Sequence, residues 1–561
     1  MISVVLSWFI IFLPTYIIGY GVGHAINKSD QSRYWSTDLY IAIGLCFLTV
    51  YAQVFSLLYK VGILACLVLS IITFLFLVYD LKHGFIAALR FKIGAINIII
   101  LGLLFWGTIA TVYYTSLSPE HYDTALYHAQ AIRWVEEYGV VKGLGNLHFR
   151  FAYNSAFIPL QALFSLKWLV NQSMHTVNGF AACGMLWYAI GTNRFLTKQK
   201  PIQTSDFLKL AVIIYIVMNR SMLSSPSTDT MALLLVGYIF IKCMEFIENG
   251  IQDTKVWITL VILVAWGVTL KLSVAPMAML VLYPIWLIYK NRKWLSGGDL
   301  LIDGILTVSL PWMIRSVMIS GYLIYPYSVI DLFRVDWKMP EAVLNYDKIE
   351  IMVWGRALKD TSLYNMKLWE WFPIWFRSNS TINNLIFITA WISVIGLTIY
   401  IIKMLKSHKW NESFIYFSAI ISFGFWFGTA PLMRYGLIYS LILIAFIMGI
   451  CNKRYMMKWL RGFSLFIMIP VMVLYLDIFN VNYYWKRQGD YEWKDNIEKQ
   501  IDGESIWIPE DGDRIGYAVF PSTPYSKILE VLELRGIDLK DGFRIKEKYK
   551  SRLLDGYGDI E

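Results

Sequence analysis

Charge is scarce in this sequence. Of its 561 residues only 16% are Asp, Glu, Lys or Arg, against about 25% in soluble globular proteins. That excludes a disordered chain and an ordinary cytosolic domain. Cysteine is scarce too. Five residues, Cys46, Cys66, Cys183, Cys243 and Cys451, are scattered through or beside apolar runs. None has metal-ligand spacing and none follows Cys451, so the polar C-terminal tail has no disulfide framework. No basic stretch precedes the first apolar run, so 1–23 reads as a retained span and not a cleaved signal peptide. No internal repeat and no low-complexity segment is visible. What abounds is apolar: 57% of the residues are hydrophobic, with 23 Trp, 36 Tyr and 33 Phe. Many of these aromatics stand near the ends of apolar runs, where membrane-interface belts form. The chain reads as a polytopic membrane protein. Its net charge of +10 sits mostly in short loops between apolar segments, which suits membrane orientation and not nucleic acid.

A span needs about 20 apolar residues, because 1.5 Å per residue must cross about 30 Å of hydrocarbon. That rule places 14 spans, at 1–23, 36–58, 61–79, 95–117, 174–195, 207–224, 229–248, 256–273, 275–289, 299–320, 383–403, 412–429, 435–451 and 463–480. The run 155–170 is short and holds Pro159 and Lys167, and is expected to be a juxtamembrane or re-entrant helix. Lys and Arg gather in alternate loops: Lys28 and Arg33; Lys82, Arg90 and Lys92; Arg194, Lys198 and Lys200; Lys290, Arg292 and Lys293; Lys403, Lys406 and Lys409; Lys453, Arg454, Lys458 and Arg461. Basic loops stay in the cytoplasm. Both termini, 118–173, 321–382 and the tail 481–561 are then extracytoplasmic. The expected architecture is all-α, with N-terminal membrane helices (1–117), a first large outer loop (118–173), a membrane domain (174–480) that includes loop 321–382, and a small outer α/β module (481–561). Within that module Ser526–Leu534 looks helical.

Charges left inside or at the edge of spans are costly and default to function. Here they gather on one side: Asp123 in the first outer loop, Asp229 at the outer start of a span, Lys271 and Arg315 near outer ends, and Arg434 just after GTAPLM. From Asp123 the pattern is helical, with Asp123, Tyr127, Gln130 and Trp134 at i, i+4, i+7 and i+11. Asp123 either caps that helix or holds a carboxylate over a site. His128 either touches substrate or packs. Glu136 and Glu137 read as a solvated face. Asp229 equally suits a helix cap favoured by the dipole. Lys271 and Arg315 either snorkel or bind. Arg434 has the planar fork that donates bidentately to phosphate.

With these residues in view, the chain resembles the GT-C superfamily of multi-pass glycosyltransferases. HYDTALYHAQAIRW looks like its catalytic first outer loop in a bacterial subgroup, and SPSTDTMALLL looks like its acidic second one. TLKLSVAP, PWMIR…SGYLIYP and APLMRYG are similar to its basic positions, and the match covers roughly 100–450 in motif order. Three spans precede the family's usual first. The resemblance implies a GT-C-like fold in a bacterial cytoplasmic (inner) membrane with an outward-facing site. A polyprenyl-phosphate-linked sugar would be the donor, and a lipid, glycan or protein the acceptor. Asp123 would be the base, and Lys271, Arg315 and Arg434 would bind the donor phosphate. Tyr127, His128 and Gln130 would line the substrate, and Asp229 would position the acceptor or bind a divalent cation. No dedicated metal cage and no firm cofactor emerges. An O-antigen-type polymerase or ligase shares these features. A non-enzymatic transporter would put its charges nearer the bilayer midplane, often with inverted repeats.

Overall fold

The computed structural model describes residues 1–27, 35–83, 98–197, 201–406, 410–455, 486–491 and 495–550. The chain is mostly helical, as apolar segments must be when no water is available to pair their backbone groups. It opens with α1 (Ile2–Ile26), α2 (Thr37–Leu58), α3 (Ile63–Lys82) and α4 (Ile98–Ser116). After the first large loop, which holds α5 (Ala129–Glu137) and α6 (Phe157–Leu163), come α7 (Val177–Gly191), α8 (Thr204–Met218), α9 (Thr228–Glu248) and α10 (Thr254–Leu270). Then follow α11 (Leu272–Lys290), whose first part is a 3-10 helix around Pro276, and α12 (Trp294–Ser320). A second large loop holds α13 (Glu341–Gly355) and the short α14 (Leu368–Ser378), and α15 (Thr381–Lys406), α16 (Trp410–Thr429) and α17 (Met433–Tyr455) complete the bundle.

Among the described residues nine helices are long and apolar enough to cross a membrane: α1 to α4, α9, α11, α12, α15 and α17. Four of the expected spans fall on shorter helices, α7, α8, α10 and the apolar part of α16. The expected span 463–480 lies outside the described residues. The run 155–170 is broken at Leu166, which takes a left-handed conformation. Its helix α6 has seven residues, a rise of about 10 Å, and does not cross a bilayer alone. In the N-terminal pair the backbones of α1 and α2 touch. A Cβ on Gly19 would lie 1.9 Å from the Tyr40 carbonyl oxygen, and one on Gly44 would lie 1.8 Å from that of Thr15. Small residues at crossings allow this contact, which is how helices associate where lipid removes the hydrophobic drive.

The tail is not laid out as its sequence suggested. β1 (Asn496–Ile501) and β2 (Glu504–Pro509) form an antiparallel hairpin closed by Asp502 and Gly503, both at positive φ, as a tight hairpin turn requires. The stretch Ser526–Leu534 is helical for only one turn, Ile528–Val531. It then enters β3 (Leu532–Leu534), paired with β4 (Phe543–Ile545). Leu532 and Leu534 point into a core while Glu533 between them does not, and this two-residue alternation overrides the helical propensity. That core is shared: Ile506, Leu532 and Phe543 of the tail pack with Trp134 and Phe149 of the first loop, with Ile319 and Tyr322 at the end of α12, and with Met339 just before α13.

Candidate functional site

The site begins where α4 ends. The chain runs through His121 and Asp123 into a wide turn, Thr124–His128, with i→i+5 bonds, before α5 starts. Such a turn adds a residue to the helical count and rotates the faces of α5 relative to Asp123. The single face expected from Asp123 to Trp134 is therefore divided. Tyr127 and His128 line a cavity of about 480 Å³ together with Asp123. Gln130 faces the tail: its amide donates to the carbonyls of Gly516 (3.2 Å) and Val519 (2.6 Å) and accepts from the Ser522 N–H (3.3 Å). Gln130 is thus not brought into the lining of this cavity, where it was expected to meet substrate. Glu136 is not solvated either. It is buried, accepts from Ser173 Oγ at 2.9 Å and from the Tyr517 hydroxyl, and burial pushes its pKa up. Glu137 does face outward, on Lys167 at 2.5 Å.

Four charges from four distant segments form one row, of which Asp123, Asp229 and Lys271 line the cavity and Arg434 joins the two carboxylates. Arg434, in the first turn of α17, donates to Asp123 Oδ2 at 2.5 Å and holds its Nε 3.8 Å from Asp229 Oδ2. Asp229, in the first turn of α9, accepts from Lys271. Lys271 stands at the break between α10 and α11, in extended backbone, and its Nζ lies 3.6 Å from the centre of the Tyr435 ring. The order Asp123–Arg434–Asp229–Lys271 alternates in sign and sums to zero, and all four side chains are largely buried.

His121, which no spacing in the sequence singles out, joins this row. Its Nε2 is 2.7 Å from Arg434 Nη1. A guanidinium only donates, so Nε2 accepts and the proton sits on Nδ1. That Nδ1 is buried with no hydrogen-bond partner, and burial lowers the pKa of the ring, so the imidazole is neutral. His128 is neutral as well, its pKa brought to about 4 by burial, and neither of its ring nitrogens is hydrogen-bonded.

Arg315 lines the same cavity but is held differently. It is 2% exposed. Its Nε donates to Asn154 Oδ1 at 3.2 Å and its Nη1 to Ser56 Oγ. Asn154 is itself fixed, donating to the Trp312 carbonyl and accepting the Trp312 indole N–H, both at 2.8 Å. Among the described residues no carboxylate lies within ion-pair distance of Arg315. A buried guanidinium whose partners are all neutral keeps donors that can serve an anionic oxygen.

At the far side of the cavity the first loop meets α13. Arg150 pairs with Glu350 at 2.8 Å and donates to the Tyr525 hydroxyl of the tail at 3.0 Å. Tyr153 donates to Asp347 Oδ1 at 2.7 Å. Asp347 is fully buried, which pushes its pKa up to about 7. Much of the rest of the wall is apolar and aromatic, with Ile158, Leu272, Ile319, Phe425 and Trp426. Among the described residues no three His, Cys, Asp or Glu side chains group as metal ligands. Asp123 and Asp229 are each already paired with a cation, so this donor set does not make a divalent-cation cage.

The family described as a domain of unknown function, DUF8201, matches residues 1–441, and the chain belongs to it. That stretch contains every residue of the charged row and Arg315, and leaves out the tail. No curated protein and no solved structure matches the chain.

Proposed function

We propose that the chain is a GT-C-like membrane glycosyltransferase that moves a sugar from a polyprenyl-phosphate donor to a hydroxyl of a lipid, glycan or protein acceptor. The observation that carries this reading is the convergence of Asp123, Asp229, Lys271 and Arg315 on one cavity with a largely apolar lining, with Arg434 paired to the two carboxylates. An amphiphile with an anionic head and a long apolar tail suits such a space.

In this reading the donor phosphate lies against Arg315, which has no carboxylate partner among the described residues, and within the field of Lys271 and Arg434. The leaving group is a phosphate, so stabilising its developing charge is the larger electrostatic task. Asp123 takes the proton of the acceptor hydroxyl as the oxygen attacks the anomeric carbon, and the carbon–oxygen bond to phosphate breaks on the opposite side, inverting the centre. Arg434 fixes the carboxylate for that role, and neutral His121 holds Arg434 in turn. Asp229 orients Lys271 and Arg434. The topology that goes with this has 14 spans, with α7, α8, α10 and α16 among them, in a bacterial inner membrane with the cavity on the extracytoplasmic side.

The test is to incubate purified protein with a panel of polyprenyl-phosphate sugars and to follow release or transfer of the sugar. Turnover that disappears in Asp123→Asn supports the assignment. Absence of both turnover and donor binding across the panel would remove it in favour of a polymerase, a ligase or a transporter.

A further inference from the structure

The loop that leaves α12 is closed on itself and carries an apolar tip. The Met339 N–H donates to the Ser320 carbonyl at 3.0 Å and the Tyr322 hydroxyl to the Met339 carbonyl at 3.1 Å, which cinches the base. Lys338 braces the inside, paired with Asp331 and donating to the Phe333 carbonyl. At the tip Val329 is 89% exposed and Leu332 67%, with Ile330 and Phe333 also exposed. A loop tip in water is ordinarily polar. Here the bracing presents apolar side chains instead of letting them fold inward.

We infer that this tip, Val329–Phe333, inserts into the headgroup layer of the bilayer. Three observations choose lipid as the occupant. First, the tip continues a lipid-facing surface, because α12 carries exposed Ile302, Leu306, Leu310 and Ile314 at steps of four. Second, cations and an amphipathic ring flank it as phospholipid phosphates require. Arg334 is exposed beside the tip, and Lys348 lies 5.6 Å from the centre of the Tyr327 ring. Third, α14 of the same large loop also exposes Leu368 and Trp369, residue types that populate interface belts. The depth follows from the backbone. The segment from Ile330 to Val335 has neither helix nor strand, and unpaired backbone groups are excluded from hydrocarbon. The tip therefore rests at headgroup depth, with its side chains reaching the start of the acyl chains.

The base of the same loop, Tyr325 to Tyr327, lines the cavity. Seating the tip in lipid sets the mouth of the cavity against the headgroup layer, so the molecule admitted there is a membrane lipid that enters sideways. This holds whether or not the chain transfers a sugar.

Single cysteines at Val329, Leu332 and, as control, the exposed Ile537 of the tail would carry an environment-sensitive fluorophore. The background replaces the five native cysteines by alanine, and the vesicles are phosphatidylethanolamine and phosphatidylglycerol. The expected result is a blue shift at 329 and 332, with quenching stronger from a nitroxide near the headgroup than from one deep in the acyl chain, and neither effect at 537. Water-like emission without quenching at 329 and 332 would overturn the inference. A second measurement keeps the native cysteines. A benzophenone amino acid in place of Leu332 should give a phospholipid adduct on illumination, whereas an adduct to another polypeptide instead would mean that the tip docks a protein.

Discussion

At the scale of single residues, the cations of the cavity divide into paired and unpaired, and the division makes their roles separable. Arg434 sits between Asp123 and Asp229, so Arg434→Ala leaves two largely buried carboxylates short of a partner. Breaking such a pair costs about 3–5 kcal/mol when burial is complete, and less here because water reaches the edge. A lowered melting temperature is therefore expected in Arg434→Ala whatever its chemical role, and Arg434→Lys should lose part of the effect because a point charge replaces the fork. Among the described residues Arg315 has only Asn154 and Ser56 as side-chain partners. Arg315→Met removes a buried charge that no carboxylate compensates, so the melting temperature should hold or rise. Donor affinity should fall by about one to two decades, the worth of charge-assisted hydrogen bonds of about 1.5–3 kcal/mol. Lower stability with unchanged affinity would make Arg315 a packing residue. For Asp123→Asn, expression and donor binding should survive while transfer drops by about 10²–10⁴-fold, the usual range for a positioned general base. Rapid transfer by this variant under conditions where chemistry limits would return the role to Asp229.

At the scale of elements, the lesson concerns what regular spacing conceals. Asp123, Asp229, Lys271 and Arg434 were legible as candidates because a charge in an apolar context is costly. Their mutual pairing was not, since it depends on how four segments cross. Gln130 was misplaced because the i, i+7 relation assumes an unbroken helix, and the wide turn Thr124–His128 breaks it. His121 lies in a loop with no periodicity to flag it, and Glu136 looked solvated because its partners Ser173 and Tyr517 are remote in sequence. The one-turn helix at Ile528–Val531 shows cross-strand pairing winning over local propensity. Two tests belong here. Gln130→Ala leaves the carbonyls of Gly516 and Val519 without that donor, at about 0.5–1.5 kcal/mol for each hydrogen bond lost. Proteolysis should then cut 514–520 faster than in the parent chain. The contact between α13 and the first loop should also respond to pH. Asp347 is neutral in the folded chain up to about 7 but ionises near 3.9 when unfolded. Its contribution is thus complete at acid pH and is lost as pH rises through about 7, because the folded form binds the extra proton across that window. Asp347→Asn keeps an oxygen for the Tyr153 hydroxyl and should flatten the fall in melting temperature between about pH 4 and 7.

At the scale of the whole molecule, the question is how helices of unequal length share one bilayer. α7 and α8 each have 15 residues, about 22 Å of rise against about 30 Å of hydrocarbon. Both are largely buried within the bundle. Neighbouring helices, not lipid, surround most of their length, so a short helix there costs little in mismatch. Treating them as crossings keeps the basic loops on one side, whereas dropping α7 alone would reverse every later loop and put the Lys290–Lys293 cluster opposite Lys82. The 14-span topology then sets Gln252, between α9 and α10, in the cytoplasm and Ile537 of the tail outside. A membrane-impermeant thiol reagent applied to intact cells should label Ile537→Cys and leave Gln252→Cys unlabelled until the membrane is opened. An odd number of crossings between the two positions is what this pattern reports. Labelling of both from the outside would mean that α10, α16 or the segment 463–480 does not cross, whereas labelling of Gln252→Cys alone would mean that α7 or α8 does not, and the shared core of tail and first loop would then fix which side the cavity faces independently of the charge pattern.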